Sequence, residues 1–195
     1  MDNFTHDPTQ VCALILAGGA GRRLGGRDKG LLFWRGRPLI EHVIEALAPQ
    51  VSETIISCNR NRERYAEIAP LAPPDLRTDY QGPLAGIEAA ITSLHREFIL
   101  LAPCDTPALP ADLAATLAGA LQQAPGAQVA YVRAGARDHY LCALLRRQSL
   151  AGLTAYLDSG QRAVRHWYDQ LGAVPVLFPG ESQAFINLNN TDDFD

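Results

Sequence analysis

The chain has 195 residues, 47% of them hydrophobic, and a formal net charge of −4 at pH 7. That length supports one substantial core, and the acid excess excludes a protein built to coat DNA or RNA, which needs a broad basic face. The polar, acidic opening from Met1 to Gln10 lacks the features of a signal or transit peptide, and no apolar run approaches the roughly 20 residues of a membrane helix. A cytoplasmic protein with no membrane and no nucleic-acid partner is expected, with residues 1–10 as a flexible tail and 11–195 as a single domain.

In chain order, Val11 to Leu16 reads as a buried strand. Pro38 opens a helix with Leu39, Ile40, Val43, Ile44 and Leu47 on one face, since proline suits a first helical position. Thr54 to Cys58 is the second strand. Gly82-Pro-Leu-Ala-Gly86 leads into a helix that aligns Leu84, Ile87, Ile91 and Leu94. Phe98 to Leu101 is the third strand and ends at Pro103-Cys-Asp-Thr-Pro107. A helix begins at Pro110 and runs through Leu113, Leu117 and Leu121. Strands follow at Gln128 to Val132 and Tyr140 to Leu145, then helices at Leu150 to Leu157 and Ala163 to Leu171. Late strands are expected at Ala173 to Phe178 and Ala184 to Leu188. This alternation predicts an α/β protein, a three-layer, doubly wound, mostly parallel sheet, with ligands beyond the carboxyl ends of its strands.

The loop after the first strand carries the chemistry. Lys29 is the one lysine among 17 basic residues, and Arg22, Arg23, Arg27, Arg35 and Arg37 surround it against a single acid, Asp28. A compact ammonium suits point contact with phosphate, and a basic patch on an acidic chain implies a local anion. The lysine is followed by Gly30, so this is not a P-loop, and the glycine spacing is not that of a dinucleotide-binding turn. Glycines still let backbone amides approach an anion closely, which points to polyphosphate.

Asp105 stands just past an apolar strand. A lone carboxylate there suits magnesium, which takes one or two carboxylates plus phosphate oxygens; capping a helix near Pro110 or an Asx turn with Thr106 is the structural alternative. Asp75 and Asp79 are either ordinary loop polarity or acceptors for the N1–H and exocyclic amine of guanine. Asn187 and Asn189 share a face if their segment is a strand, and belong to a turn otherwise. Cys12, Cys58, Cys104 and Cys142 lack metal-ligand or disulfide spacing; three lie in or beside apolar runs as small hydrophobes, and Cys104, just before Asp105, is structural in preference to reactive.

Leu16-Ala-Gly-Gly, Arg23-Leu-Gly-Gly, Asp28-Lys-Gly-Leu, Gly82-Pro-Leu-Ala-Gly, Pro103-Cys-Asp-Thr-Pro and Asn187-Leu-Asn, taken in order, resemble the molybdenum cofactor guanylyltransferases. The resemblance implies a Rossmann-like nucleotidyltransferase fold and transfer of GMP from GTP to molybdenum-molybdopterin, releasing pyrophosphate. By motif position, Leu16, Ala17 and Gly18 would contact the nucleotide and Lys29 its phosphates. Gly19, Arg23 and Gly26 would serve the active loop; Ser57, Asp75, Asp79 and Gly82 would face the nucleotide. Asp105 would bind magnesium, and Asn187 and Asn189 would lie toward the pterin. In this scheme Lys29, Arg23 and Asp105 carry catalysis by charge neutralisation. No general base is needed, because the attacking phosphate is already ionised.

The chain departs from the family pattern at Ser57, where asparagine is common, at Tyr140, where proline is usual, and at the inserted Asn190. Molybdenum cofactor biosynthesis proteins and acceptor molybdoenzymes are the expected protein partners. Rival readings are cytidylyl transfer to the same cofactor, a sugar-phosphate nucleotidyltransferase, and a non-catalytic nucleotide-binding accessory module.

Overall fold

A computed structural model of the chain describes residues 7–19, 26–179 and 183–188. The sheet begins with β1 (Val11–Leu16), whose side chains alternate between two buried faces. Val11, Ala13 and Ile15 pack into one core layer, and Cys12 and Leu14 into the other. A strand buried on both faces has no room for a polar position, which is why this run is continuously apolar. Truncating a residue such as Ile15 to alanine would cost about 2–5 kcal/mol.

A short hairpin, β2 (Phe33–Trp34) and β3 (Arg37–Pro38), precedes α1 (Leu39–Leu47). Pro38 is the N-cap of α1 rather than its first helical residue. The chain continues through β4 (Glu53–Ser57), α2 (Arg62–Ala66), α3 (Pro83–Ala90), β5 (Phe98–Pro103) and α4 (Leu113–Gln123). It finishes with β6 (Val129–Ala134), β7 (Arg137–Arg146), α5 (Leu153–Asp158), α6 (Val164–Gln170) and β8 (Val174–Leu177).

The six-stranded sheet has the order β4-β1-β5-β7-β6-β8. β1 pairs in parallel with β4 and β5, β6 pairs in parallel with β8, and β7 alone runs antiparallel to both neighbours. Helices α1 and α4 cover one face, with Ile40, Val43, Leu47, Leu113, Leu117 and Leu121 buried there. On the other face α3, α5 and α6 bury Leu84, Ile87, Leu153, Leu157 and Trp167. The fold is the expected three-layer, mostly parallel α/β arrangement.

Besides Pro38, other expectations change. The helix expected from Pro110 begins at Leu113. The helix from Gly82 to Leu94 is α through Ala90 only and tightens to a 3-10 turn at Ile91–Ser93. Ala184 to Leu188 is not a strand: residues 183–185 form a turn and 186–188 join no sheet. The reason is local. Phe185 is buried against Phe178, and the Leu188 amide donates to the Asp105 carbonyl at 3.0 Å, so a loop takes the hydrogen bond that a strand would have offered to a ladder.

Candidate active site

Parallel strands with one sense of crossover deliver their carboxyl ends to one edge, and the groups that follow β1, β4 and β5 meet there. Leu16 closes β1, its carbonyl accepting from the Cys104 amide at 3.1 Å, while the Ala17 amide donates to the Ser57 carbonyl at 2.8 Å. The loop after β1 is thereby tied to the ends of both neighbouring strands. Gly18 and Gly19 continue it outward; a Cβ on Gly18 would lie 3.6 Å from the Asn59 side-chain nitrogen.

Returning from the loop, Gly26 to Gly30 is fixed by the turn after β4. Arg60 bridges two carbonyls, donating to Gly26 O at 2.9 Å and to Gly19 O at 3.1 Å. Asp28 accepts from the Tyr65 hydroxyl at 2.6 Å and from the Asn61 amide at 2.9 Å. Tyr65, on α2, is fully buried. The close approach explains Gly30, where any Cβ would sit 2.5 Å from the Tyr65 hydroxyl. With its two chain neighbours held in this way, Lys29 starts a 3-10 turn (Lys29–Leu31) beneath the sheet edge.

Asp105 lies two residues past the end of β5. Its Oδ2 pairs with the Lys29 ammonium and accepts from the Asn187 amide at 3.2 Å. Among the described residues, its Oδ1 makes a long contact, 3.5 Å, to the Thr106 hydroxyl. The side chains of Lys29 and Asp105 are 19% and 12% exposed, so the pair sits at the floor of the edge rather than out in solvent. Thr106 and the Asn187 amide oxygen are also 3.5 Å apart. Asp105 thus neither caps α4 nor spends both oxygens on its own loop.

The other expected residues divide. Asp75 follows a segment that runs beside β4, with Ile56 and Leu71 bridged in parallel, and its amide donates to Asn59 Oδ1 at 2.9 Å. Asp79 is exposed, with φ of 66°, and accepts from Thr78. Gly82 is the exposed N-cap of α3. Ser57 is buried beneath α3, its hydroxyl 2.6 Å from where a Cβ on Gly86 would stand, so glycine there is what admits it. Arg23 and Asn189, and with them Arg22, lie outside the described residues.

All four cysteines are buried, Cys104 with the three that lie in apolar runs. Burial pushes the Cys12 thiol up to about 12, and burial beside Asp105 raises Cys104 further, which makes it a poor nucleophile. His139 packs against Phe185, and burial, aided by Arg137, lowers its pKa and favours the neutral imidazole. Among the described residues no group of three or more His, Cys, Asp or Glu is placed to share a metal ion, and no helix is long and apolar enough to cross a membrane.

Arg60, Tyr65, Asn59 and Arg77 were not singled out from the sequence. Asn59 and Arg60 carried a signal, a polar pair directly after a strand, but their targets are backbone atoms that no motif announces.

The MobA-like NTP transferase domain matches residues 13–174. The chain is 42% identical over 180 residues to a protein of Shewanella halifaxensis named molybdenum cofactor guanylyltransferase, covering 92% of this chain and 90% of that one. A protein of the same name from Mannheimia succiniciproducens is 42% identical over 183 residues, covering 94% and 96%. The crystal structure of molybdopterin-guanine dinucleotide biosynthesis protein A from Archaeoglobus fulgidus superposes with a TM-score of 0.70, covering 94% of each chain at 23% identity, and so supports the fold. The chain is therefore a nucleotidyltransferase, and it belongs to the molybdenum cofactor guanylyltransferase family.

Proposed function

We propose that the chain transfers GMP from GTP to molybdenum-molybdopterin and releases pyrophosphate, as one domain running from residue 11. The observation that carries this reading is the meeting of Lys29 with Asp105 and Asn187 at the carboxyl ends of β1 and β5. A terminal phosphate of the pterin attacks the α-phosphorus of GTP, a new P–O bond forms, and the bond to the β-phosphate bridging oxygen breaks as pyrophosphate leaves. Both reactants are anions, so the protein's work is positioning and charge neutralisation. Lys29, with Arg23 from the same loop, neutralises the leaving pyrophosphate. Leu16, Ala17, Gly18, Gly19 and Gly26 contact the nucleotide; Asp75, Asp79 and Gly82 border its base and ribose. Asn187, with Asn189 by motif position, would serve the pterin. Ser57 acts from below, by seating Gly86 and α3.

Asp105 fits magnesium. It is a strand-end carboxylate whose Oδ1 makes, among the described residues, just the long Thr106 contact, and magnesium needs no more than one or two carboxylates beside phosphate oxygens and water. When bound at Asp105, the ion supplies further neutralisation of phosphate charge. Lys29 then has the triphosphate as an alternative partner to the carboxylate. The product would pass to acceptor molybdoenzymes or to other cofactor biosynthesis proteins.

The test is pyrophosphate release with molybdenum-molybdopterin and either GTP or CTP, with and without magnesium. Magnesium-dependent release with GTP alone is expected. Release with CTP instead would replace the reading by cytidylyl transfer, and GTP binding without turnover would leave a non-catalytic binding module.

A further inference from the structure

The segment from Asp75 to Gly82 holds three of the residues assigned to the nucleotide, Asp75, Asp79 and Gly82, and Arg77 stands between the two aspartates. Its side chain is 20% exposed. It donates Nε to Glu88 Oε2 at 2.7 Å and Nη2 to Glu88 Oε1 at 2.8 Å, a bidentate fork, and Nη2 also reaches Asp158 Oδ1 at 2.7 Å. Glu88 lies on α3, and its side chain is only 2% exposed. Asp158 ends α5. One side chain thus fastens the segment to two helices of the layer beneath it. The cation comes from a loop where an arginine on a helix would neutralise Glu88 equally well.

The remaining anchors bracket it. The Asp75 amide is held by Asn59 Oδ1 at 2.9 Å, and Gln81 Oε1 accepts from Arg162 Nε at 2.6 Å. Between them Asp79 and Tyr80 both take positive φ, 66° and 49°, which side-chain-bearing residues adopt only when surrounding contacts hold them. Among the described residues, the ion pairs of this segment are those Arg77 makes with Glu88 and Asp158.

We propose that Arg77 is a positioning residue for nucleotide recognition: locked to Glu88 and Asp158, it presets the backbone that presents Asp75 and Asp79. The inference rests on the GTP reading above. Preorganisation of this kind lowers the ordering cost of binding, so it acts on nucleotide affinity rather than on the chemical step.

The experiment compares the full chain with Arg77→Ala, Arg77→Lys and the double variant Arg77→Gln/Glu88→Gln, which leaves no unpaired buried carboxylate. GTP affinity is measured at equilibrium, alongside KM, kcat and the melting temperature. In Arg77→Ala and the double variant, Kd and KM should rise about tenfold, equivalent to about 1.4 kcal/mol, with kcat nearly unchanged. Arg77→Lys, which keeps the charge without the fork, should recover part of the affinity. A folded double variant that binds GTP as tightly as the parent overturns the proposal, and so does a fall in kcat with KM unchanged. If neither variant folds, Arg77 is structural and the proposal also falls. A parent chain that fails to bind GTP sinks the guanylyl reading first, and this one with it.

Discussion

Strands β4, β1 and β5 are parallel and bring their carboxyl ends to one edge, whereas β7 enters that edge by its amino end and carries β6 and β8 beyond it. In the first region β1 and β5 are apolar throughout, and Gly18, Asn59 and Asp105 stand just past the ends of β1, β4 and β5. In the second, the polar groups lie within the strands. Arg133 and Asp138 pair across the β6–β7 ladder at 2.5 Å, and Tyr131, Tyr140 and Tyr168 form a cluster of rings beside them. The contrast teaches that the parallel half is a device for gathering loops, while the antiparallel half is a packed wall. Substitutions should therefore damage turnover in the first and stability in the second.

The largest effect tests this directly. Lys29→Ala should lower kcat by about 10²–10³, the range typical of a lost charge-stabilising donor, with an unchanged circular dichroism spectrum. Near-normal turnover would erase the difference between the halves. Next, Gly30→Ala forces a Cβ against the Tyr65 hydroxyl and should cost about 1–3 kcal/mol in chemical denaturation while displacing Lys29. Adding Tyr65→Phe removes the clashing oxygen, leaving the ring carbon at 3.4 Å, so part of that stability should return.

A third prediction concerns pH. Hydrogen bonds from Arg77 hold the Glu88 carboxyl below its ordinary value of 4.5. Its stabilisation is complete above that value and is lost as pH falls through the lower folded-state pKa. Glu88→Gln should flatten the acid limb of the stability profile, measured by denaturant midpoint from neutral pH downward; an unaltered limb would mean the pair contributes nothing. The smallest effect belongs to the wall. Tyr168→Phe removes a buried hydroxyl that donates to the Tyr140 carbonyl at 2.9 Å, and should cost about 1 kcal/mol of stability with kcat for GTP unchanged.

Much of the fold was legible in the chain because burial on both faces of a parallel sheet leaves runs such as Val11–Leu16 and Phe98–Leu101 without a polar residue. Helix ends were less legible. Nothing local stops α3 at Ala90, and the tightening at Ile91 follows the packing of Leu94 in the core. The misread strand at Ala184 to Leu188 shows the same limit, since Phe-Ile-Asn-Leu suits a ladder until Asp105 supplies a competing acceptor. The hairpin at Phe33–Pro38 and the helix α2 were also missed, both being too short for periodicity to register.

Sequence alone determined the chemistry of the individual groups: a lone ammonium among glycines after a strand, a carboxylate after another, and the motifs that mark the family. These are properties of a few adjacent residues, and adjacency is what a sequence records. Only the tertiary structure decided that Lys29 meets Asp105, a residue 76 positions away, and that Arg77 turns inward to Glu88. Such partners are chosen by strand order and by which face each helix covers, and those follow from how the whole core closes.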